Sequence, residues 1–295
     1  MDISIKHIVC SGGGHSGIIY YGILKELNKK GFWDIKNIET FHGTSVGCII
    51  SVFISLKCDW DILDDFIIKR PWQTVFKFNM YSLIESITKE GIFNVKVIED
   101  LFMPLFKAND ISINITMDEF YNLTNIHHYF YTTDINSLKI LEISHKTHPE
   151  WRLIDAVYSS CAIPIIFSPY FKEGICYYDG GMLSNYPISH CLSKEYINPD
   201  EVLGIRTYGG VKENKVIEKD KTLFYYIIII FFILLDNLVS NRYISSIKYE
   251  VRTKWNRLSL ENLYNATNDS EYRKQLIQEG IDIANEFYSS NVVSL

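Results

Sequence analysis

The sequence predicts an α/β fold, with a mainly parallel sheet carrying helices on its faces. Three observations lead there. A short apolar strand over 7–10 runs into the glycine-rich loop Ser11-Gly12-Gly13-Gly14-His15-Ser16-Gly17, and a helix over 18–30 follows. A second strand ends at Thr40-Phe41-His42, and the turn Gly43-Thr44-Ser45-Val46-Gly47 leads into an apolar helix over 48–56. Strand, loop, helix, strand, turn, helix is the alternation that pairs strands in parallel, because each crossover helix returns the chain to the same end of the sheet.

The elements follow in order. In the first helix Ile19, Ile23, Leu24 and Leu27 fall on one face, and Gly31 stands where a C-terminal capping glycine belongs. The stretch 59–106 reads as mostly helical. Residues 111–117, 129–133 and 140–144 read as strands, and 153–161 as a helix that stops before Pro164. A short strand over 176–178 leads into Asp179-Gly180-Gly181, 202–207 is a further strand, and 271–289 is an amphipathic helix. The most apolar segment runs from Leu223 to Leu235. As a helix its thirteen residues would reach only about 20 Å, short of a hydrocarbon core of about 30 Å. A buried core helix is the first reading and a helix lying on a membrane surface the second; a span comes last.

Composition narrows the function class. The 295 residues are 47% hydrophobic and 22% charged, which suits a globular chain with a sizeable core. The net charge of -6, with no basic run, argues against a nucleic-acid partner. The cysteines, Cys10, Cys48, Cys58, Cys161, Cys176 and Cys191, have no zinc-site spacing and are expected as reduced thiols. The short apolar N-terminal run is expected to be a core strand, not a signal peptide, and the protein to be cytoplasmic. The glycosylation sequons at Asn114, Asn122, Asn265 and Asn268 are then chance matches in an Asn-rich chain.

Gly-x-Ser-x-Gly between a strand and a helix is a chemical signal. The glycines clear space for a tight bend, the Ser45 hydroxyl is exposed, and the following helix N-terminus favours developing negative charge. Serine attack on an ester makes an oxyanion, which needs backbone N–H donors; Gly12, Gly13 and Gly14 can supply them, with Val46 as a further donor. The base has two readings. His190, following Asp155 or Asp179, would give a Ser, Asp, His order; alternatively Asp179, at a strand end before two glycines, accepts the proton itself. The loop also matches Gly-x-Gly-x-x-Gly through Gly12, Gly14 and Gly17, with Glu39 downstream. A dinucleotide site is therefore a rival reading, which leaves Ser45 and Asp179-Gly180-Gly181 unexplained.

Taken together, five ordered segments resemble the patatin-like phospholipases. They are Gly12-Gly13-Gly14-His15-Ser16-Gly17, Gly43-Thr44-Ser45-Val46-Gly47, Tyr131-Thr132-Thr133-Asp134-Ile135-Asn136, the helix from Asp155 to Pro164, and Asp179-Gly180-Gly181. The resemblance covers about residues 5–207 and implies a three-layer α/β/α fold. It implies a lipid acyl hydrolase of phospholipase A type in which Ser45 is the nucleophile, Asp179 its base and Gly12, Gly13 and Gly14 the oxyanion loop. Gly17, Gly43, Gly47, Gly180 and Gly181 support the motifs, and no metal or other cofactor is expected. Residues 5–207 would form the catalytic domain and 208–295 a mainly helical extension packed on it. The expected partner is a phospholipid or other acyl lipid, with peripheral membrane contact through Leu223 to Leu235 as an accompanying expectation. Ser16 departs from the family, which usually carries Arg or Lys there. That change bears on the anchoring of an anionic head group and keeps open a lipid-binding protein with little turnover.

Overall fold

The computed structural model describes residues 4–77, 90–208, 219, 226–227, 230, 233–234, 247–254 and 260–291. Among these residues eight strands form one mixed sheet: β1 (His7–Cys10), β2 (Thr40–Thr44), β3 (His127–Asp134), β4 (Lys139–Ile143), β5 (Tyr170–Lys172), β6 (Ile175–Asp179), β7 (Val202–Tyr208) and β8 (Tyr249–Lys254). Hydrogen-bonded neighbours run β5-β6-β3-β2-β1-β7-β8, with β2 and β6 on one edge of β3 and β4 on the other. The run from β3 through β2, β1 and β7 to β8 is parallel, while β4, β5 and β6 are antiparallel additions. The helices are α1 (Gly17–Lys29), α2 (Val46–Ser55), α3 (Trp60–Lys69), α4 (Lys96–Ala108), α5 (Met117–Thr124), α6 (Leu153–Cys161), α7 (Gly181–Ser184), α8 (Ile188–Leu192), α9 (Leu260–Asn268) and α10 (Ser270–Asn291).

The central strands are buried on both faces, as parallel strands under helices must be. In β1 the neighbours part company: Ile8 and Cys10 join the larger core with α1 and α2, whereas Val9 joins a second cluster with Tyr186, Ile188, Cys191 and Val202. Helical layers therefore lie on both faces of the sheet, which is the three-layer α/β/α arrangement expected.

Local rules account for most boundaries. Helix α1 ends in a Schellman motif: Gly31 sits at φ 70°, its N–H donates to Asn28 O, and Phe32 N–H donates to Leu27 O. On its other flank α1 packs against α10 through paired glycines. A methyl on Gly22 would meet the Ile277 carbonyl oxygen, and one on Gly280 would meet that of Ile19.

The strand expected over 111–117 does not form. Ile115 N–H closes a turn onto Ser112 O, and Met117 already begins α5. The Thr116 hydroxyl accepts from Glu119 N–H while Glu119 accepts from Thr116 N–H, a complete capping box. The alternating isoleucines mimic a strand, but the box starts a helix at its end. The stretch 59–106 is helical in α3 and α4, joined in part by a 3-10 turn at Trp72–Thr74; residues 78–89 lie outside the described set. Most of Leu223 to Leu235 also lies outside it. Of the residues described there, Ile227, Ile230 and Leu234 are each about half exposed.

Candidate active site

Strand register brings Ser45 and Asp179 together. Along β3, Tyr131 pairs with Thr44 of β2 on one edge and with Glu142 of β4 on the other. The next residue, Thr132, pairs with Leu141 of β4 and with Asp179 of β6. Strands β2 and β6 thus occupy the same edge of β3 and meet end to end at consecutive positions. Ser45 follows directly on Thr44, so it leaves β2 where Asp179 ends β6.

The turn at Ser45 is strained. Its φ of 54° and ψ of -124° are uncommon for a residue with a side chain and cost about 1–3 kcal/mol. Packing holds it. Ser45 N–H donates to Ser160 Oγ at 2.9 Å, and Ser160 Oγ donates to Tyr131 O at 2.6 Å. Gly47 admits the close approach of β1, since a methyl there would strike the Cys10 carbonyl oxygen; Gly180 does the same against Tyr131 O. Gly43 lies inside β2 against Gly47 and Cys48, Gly17 opens α1 against Val46, and Gly181 opens α7.

Both polar side chains are almost closed off, Ser45 at 6% and Asp179 at 5% exposure. Burial raises the Asp179 pKa from 3.8 to about 6, against the opposing pull of the Ser45 hydroxyl and the Gly181 amide. Asp179 Oδ1 accepts from Gly181 N–H at 2.6 Å, whereas Oδ2 has no fully formed hydrogen bond among the described residues. The Ser45 hydroxyl interacts with this carboxyl and with the Cys161 thiol. A loosely aligned pair of this kind is common before substrate binds. Burial pushes the Cys161 thiol well up, so it stays protonated and inert.

The glycine loop abuts the serine: the nearest heavy-atom neighbours of a Gly12 methyl would include Ser45 Cβ at 3.3 Å. Gly12 N–H donates to Asn185 O, so it is engaged. Gly13, Gly14 and Val46 are left as the candidate backbone donors. Gly14 has φ 54° and starts the 3-10 turn Gly14–Ser16. His15 in that turn is buried, and burial lowers its pKa to about 4, so the ring is neutral.

The rival readings fare differently. His190 stacks on the Tyr131 ring at 4.9 Å, and burial is the largest influence on its ring; the groups acting on the Asp179 carboxyl are Ser45 and Gly181. Glu39 precedes β2 and bonds Lys6 O before β1, about 16 Å of strand away from the glycine loop. A ribose-binding acid has to stand at the other end, so the dinucleotide reading loses its anchor.

A cavity of about 200 Å³ opens beside Ser45. Apolar side chains dominate its wall, among them Ile49 and Phe53 of α2, Trp72, Phe93, Leu101 and Phe167. Sequence reasoning did not find these residues, because they come from separate elements with no shared motif. It also passed over Asn185, whose Nδ2 donates to Gly12 O at 3.3 Å, and the supporting role of Ser160. Ser160 had a signal, since it lies in one of the five segments; Asn185 had none.

The family model described as patatin-like phospholipase matches residues 8–192. The chain belongs to the patatin-like phospholipase family. This patatin-like chain is 29% identical over 189 residues to the uncharacterized protein R571 of Acanthamoeba polyphaga mimivirus, covering 64% of this chain and 62% of that one. It is 28% identical over 185 residues to the probable lipid hydrolase 463L of Invertebrate iridescent virus 6, covering 62% of each. The patatin-like chain therefore matches less than two thirds of the length of these curated relatives. Among solved structures, VipD from Legionella pneumophila matches with a TM-score of 0.59 and 17% identity, over 98% of this chain and 67% of that one. ExoU in its complex with SpcU from Pseudomonas aeruginosa matches at 0.52 and 13%, over 98% and 52%. At these identities the likeness shows the fold alone.

Proposed function

We propose that the chain is a lipid acyl hydrolase of phospholipase A type, working through Ser45 and Asp179. One observation carries the reading: a strained serine in the wall of an apolar cavity interacts with a buried carboxylate. The cavity suits an acyl chain, the strained turn presents the hydroxyl, and the carboxyl is tuned toward a useful base.

The mechanism is two-step acyl transfer. Asp179 takes the Ser45 proton as the hydroxyl attacks the ester carbonyl. Gly13, Gly14 and Val46 N–H groups face the developing oxyanion, each donor worth about 100- to 1000-fold. The alcohol portion, a lysolipid, leaves with the proton held by Asp179. Asp179 then draws a proton from water as it attacks the acyl-serine, and returns that proton to Ser45 Oγ as the acyl–oxygen bond breaks and the fatty acid is released. No step calls on a metal or an organic cofactor.

The test is hydrolysis of phospholipid vesicles and short-chain esters by purified protein, with Ser45→Ala and Asp179→Asn. Each variant is expected to lose at least about 100-fold in kcat with the fold intact. Full turnover by either folded variant refutes the dyad. Labelling of Ser45 by a fluorophosphonate separates a hydrolase from a lipid-binding protein on the same fold, which would bind vesicles and stay unlabelled.

A further inference from the structure

The family match ends at residue 192, yet the cavity beside Ser45 is not closed by the matched residues. Leu263, Ala266 and Thr267 of α9 line it, and α9 packs on both the Gly14–Ser16 turn and the Trp72–Thr74 turn. One helix from outside the matched region thus borders the cavity from the glycine loop to the aromatic turn. Arg273 locks it there. This side chain is 4% exposed, and its guanidinium donates to Ile68 O at 2.6 Å, to Ala266 O at 2.9 Å and to Arg70 O at 3.4 Å. Those are carbonyls at the C-terminal end of α3 and within α9, where a cation is favoured. With its donors turned to backbone oxygens, Arg273 joins the helices and leaves the wall apolar.

We propose that α9 is the specificity wall of the acyl site, with Leu263 and Ala266 setting the length of fatty acyl chain that the cavity accepts and Arg273 acting as a positioning residue. The proposal rests on the acyl-hydrolase reading and adds the substrate feature that α9 selects. Its physical basis is volume. Side chains of α9 bound the cavity on one side, so a methylene that reaches them must displace one, and in an apolar pocket a single methylene already shifts discrimination about tenfold or more. Ala266 is the smallest side chain on the wall and is itself buried; Leu263 is larger and stands one turn earlier.

The experiment uses two opposed variants of the full chain, Ala266→Phe and Leu263→Ala. Activity is read as kcat/KM on p-nitrophenyl acetate, octanoate and palmitate. Binding is read separately with parinaric acid, a fluorescent long-chain fatty acid, in a Ser45→Ala background. Ala266→Phe is expected to lower the octanoate-to-acetate ratio about tenfold or more and to weaken parinaric acid binding comparably. Leu263→Ala is expected to raise the palmitate-to-octanoate ratio. If Ala266→Phe does not fold, Leu263→Ala decides. Unchanged ratios and unchanged binding in a variant that melts like the parent overturn the proposal. Absence of turnover in the parent, with chain binding still altered by the variants, refutes the hydrolase reading and leaves the wall standing.

Discussion

Asp179 offers the sharpest test, because its environment sets a pH below which the proposed dyad is expected to fail. Its carboxyl is buried among few donors, and its pKa rises from 3.8 to about 6. In the proposed role of base it has to be ionised in the free enzyme. Below pH 6, kcat/KM should therefore fall about tenfold per pH unit, to roughly a tenth of its plateau at pH 5. An aspartate of ordinary pKa would leave activity nearly whole at pH 5. The same shift has a stability consequence of defined sign. The folded carboxyl holds its proton more tightly than the unfolded one, so this group's contribution is most favourable below pH 3.8. Its benefit is lost as pH rises through 6, which leaves the charged form costing about 3 kcal/mol. Asp179→Asn should therefore raise the melting temperature at pH 7 relative to the parent, and the gain should shrink towards pH 4. The assays are initial rates on a soluble short-chain ester between pH 4 and 8, and paired thermal melts at pH 4 and 7. An acid limb centred near pH 4, or an Asn variant destabilised at pH 7, would refute the reasoning from burial.

Two further outcomes follow from the packing. Ser160→Ala removes the hydroxyl that accepts from Ser45 N–H and donates to Tyr131 O, leaving buried backbone groups unpaired; a loss of about 1–3 kcal/mol by urea titration is expected, with kcat reduced more than KM is raised, and a variant matching the parent in both would show that the turn is held by other contacts. Ile230→Asp with Leu234→Asp places charges on two half-exposed apolar positions; if they meet a bilayer, vesicle flotation should drop about tenfold or more while turnover of a soluble ester holds, and unchanged flotation would remove this segment from membrane contact.

How much of this was legible in the sequence depends on the range of the interaction. Gly31 could be read as a helix stop because a Schellman cap is made within a few residues, and the helix ending before Pro164 for the same reason. The glycine loop and the serine turn could be read because each is a local demand for small residues between a strand and a helix. Residues 111–117 misled, since three alternating isoleucines gave a strand pattern while the Thr116–Glu119 box began a helix. The signal for that box was present in the sequence.

By itself the sequence determined the fold class, the family's five ordered segments, and Ser45 and Asp179 as the residues to examine. All of these rest on short-range chemistry: strand and helix periodicity, glycines at tight turns, one residue type at one spacing. Tertiary structure decided the rest. The meeting of β2 and β6 at Tyr131 and Thr132 places the serine beside the aspartate, and strand register is a property of pairing between distant segments. The engagement of Gly12 N–H by Asn185 O, the brace from Ser160, and the wall supplied by α9 join residues far apart in the chain. The raised pKa of Asp179 is the clearest case, because burial belongs to the packed assembly and no neighbour in sequence encodes it.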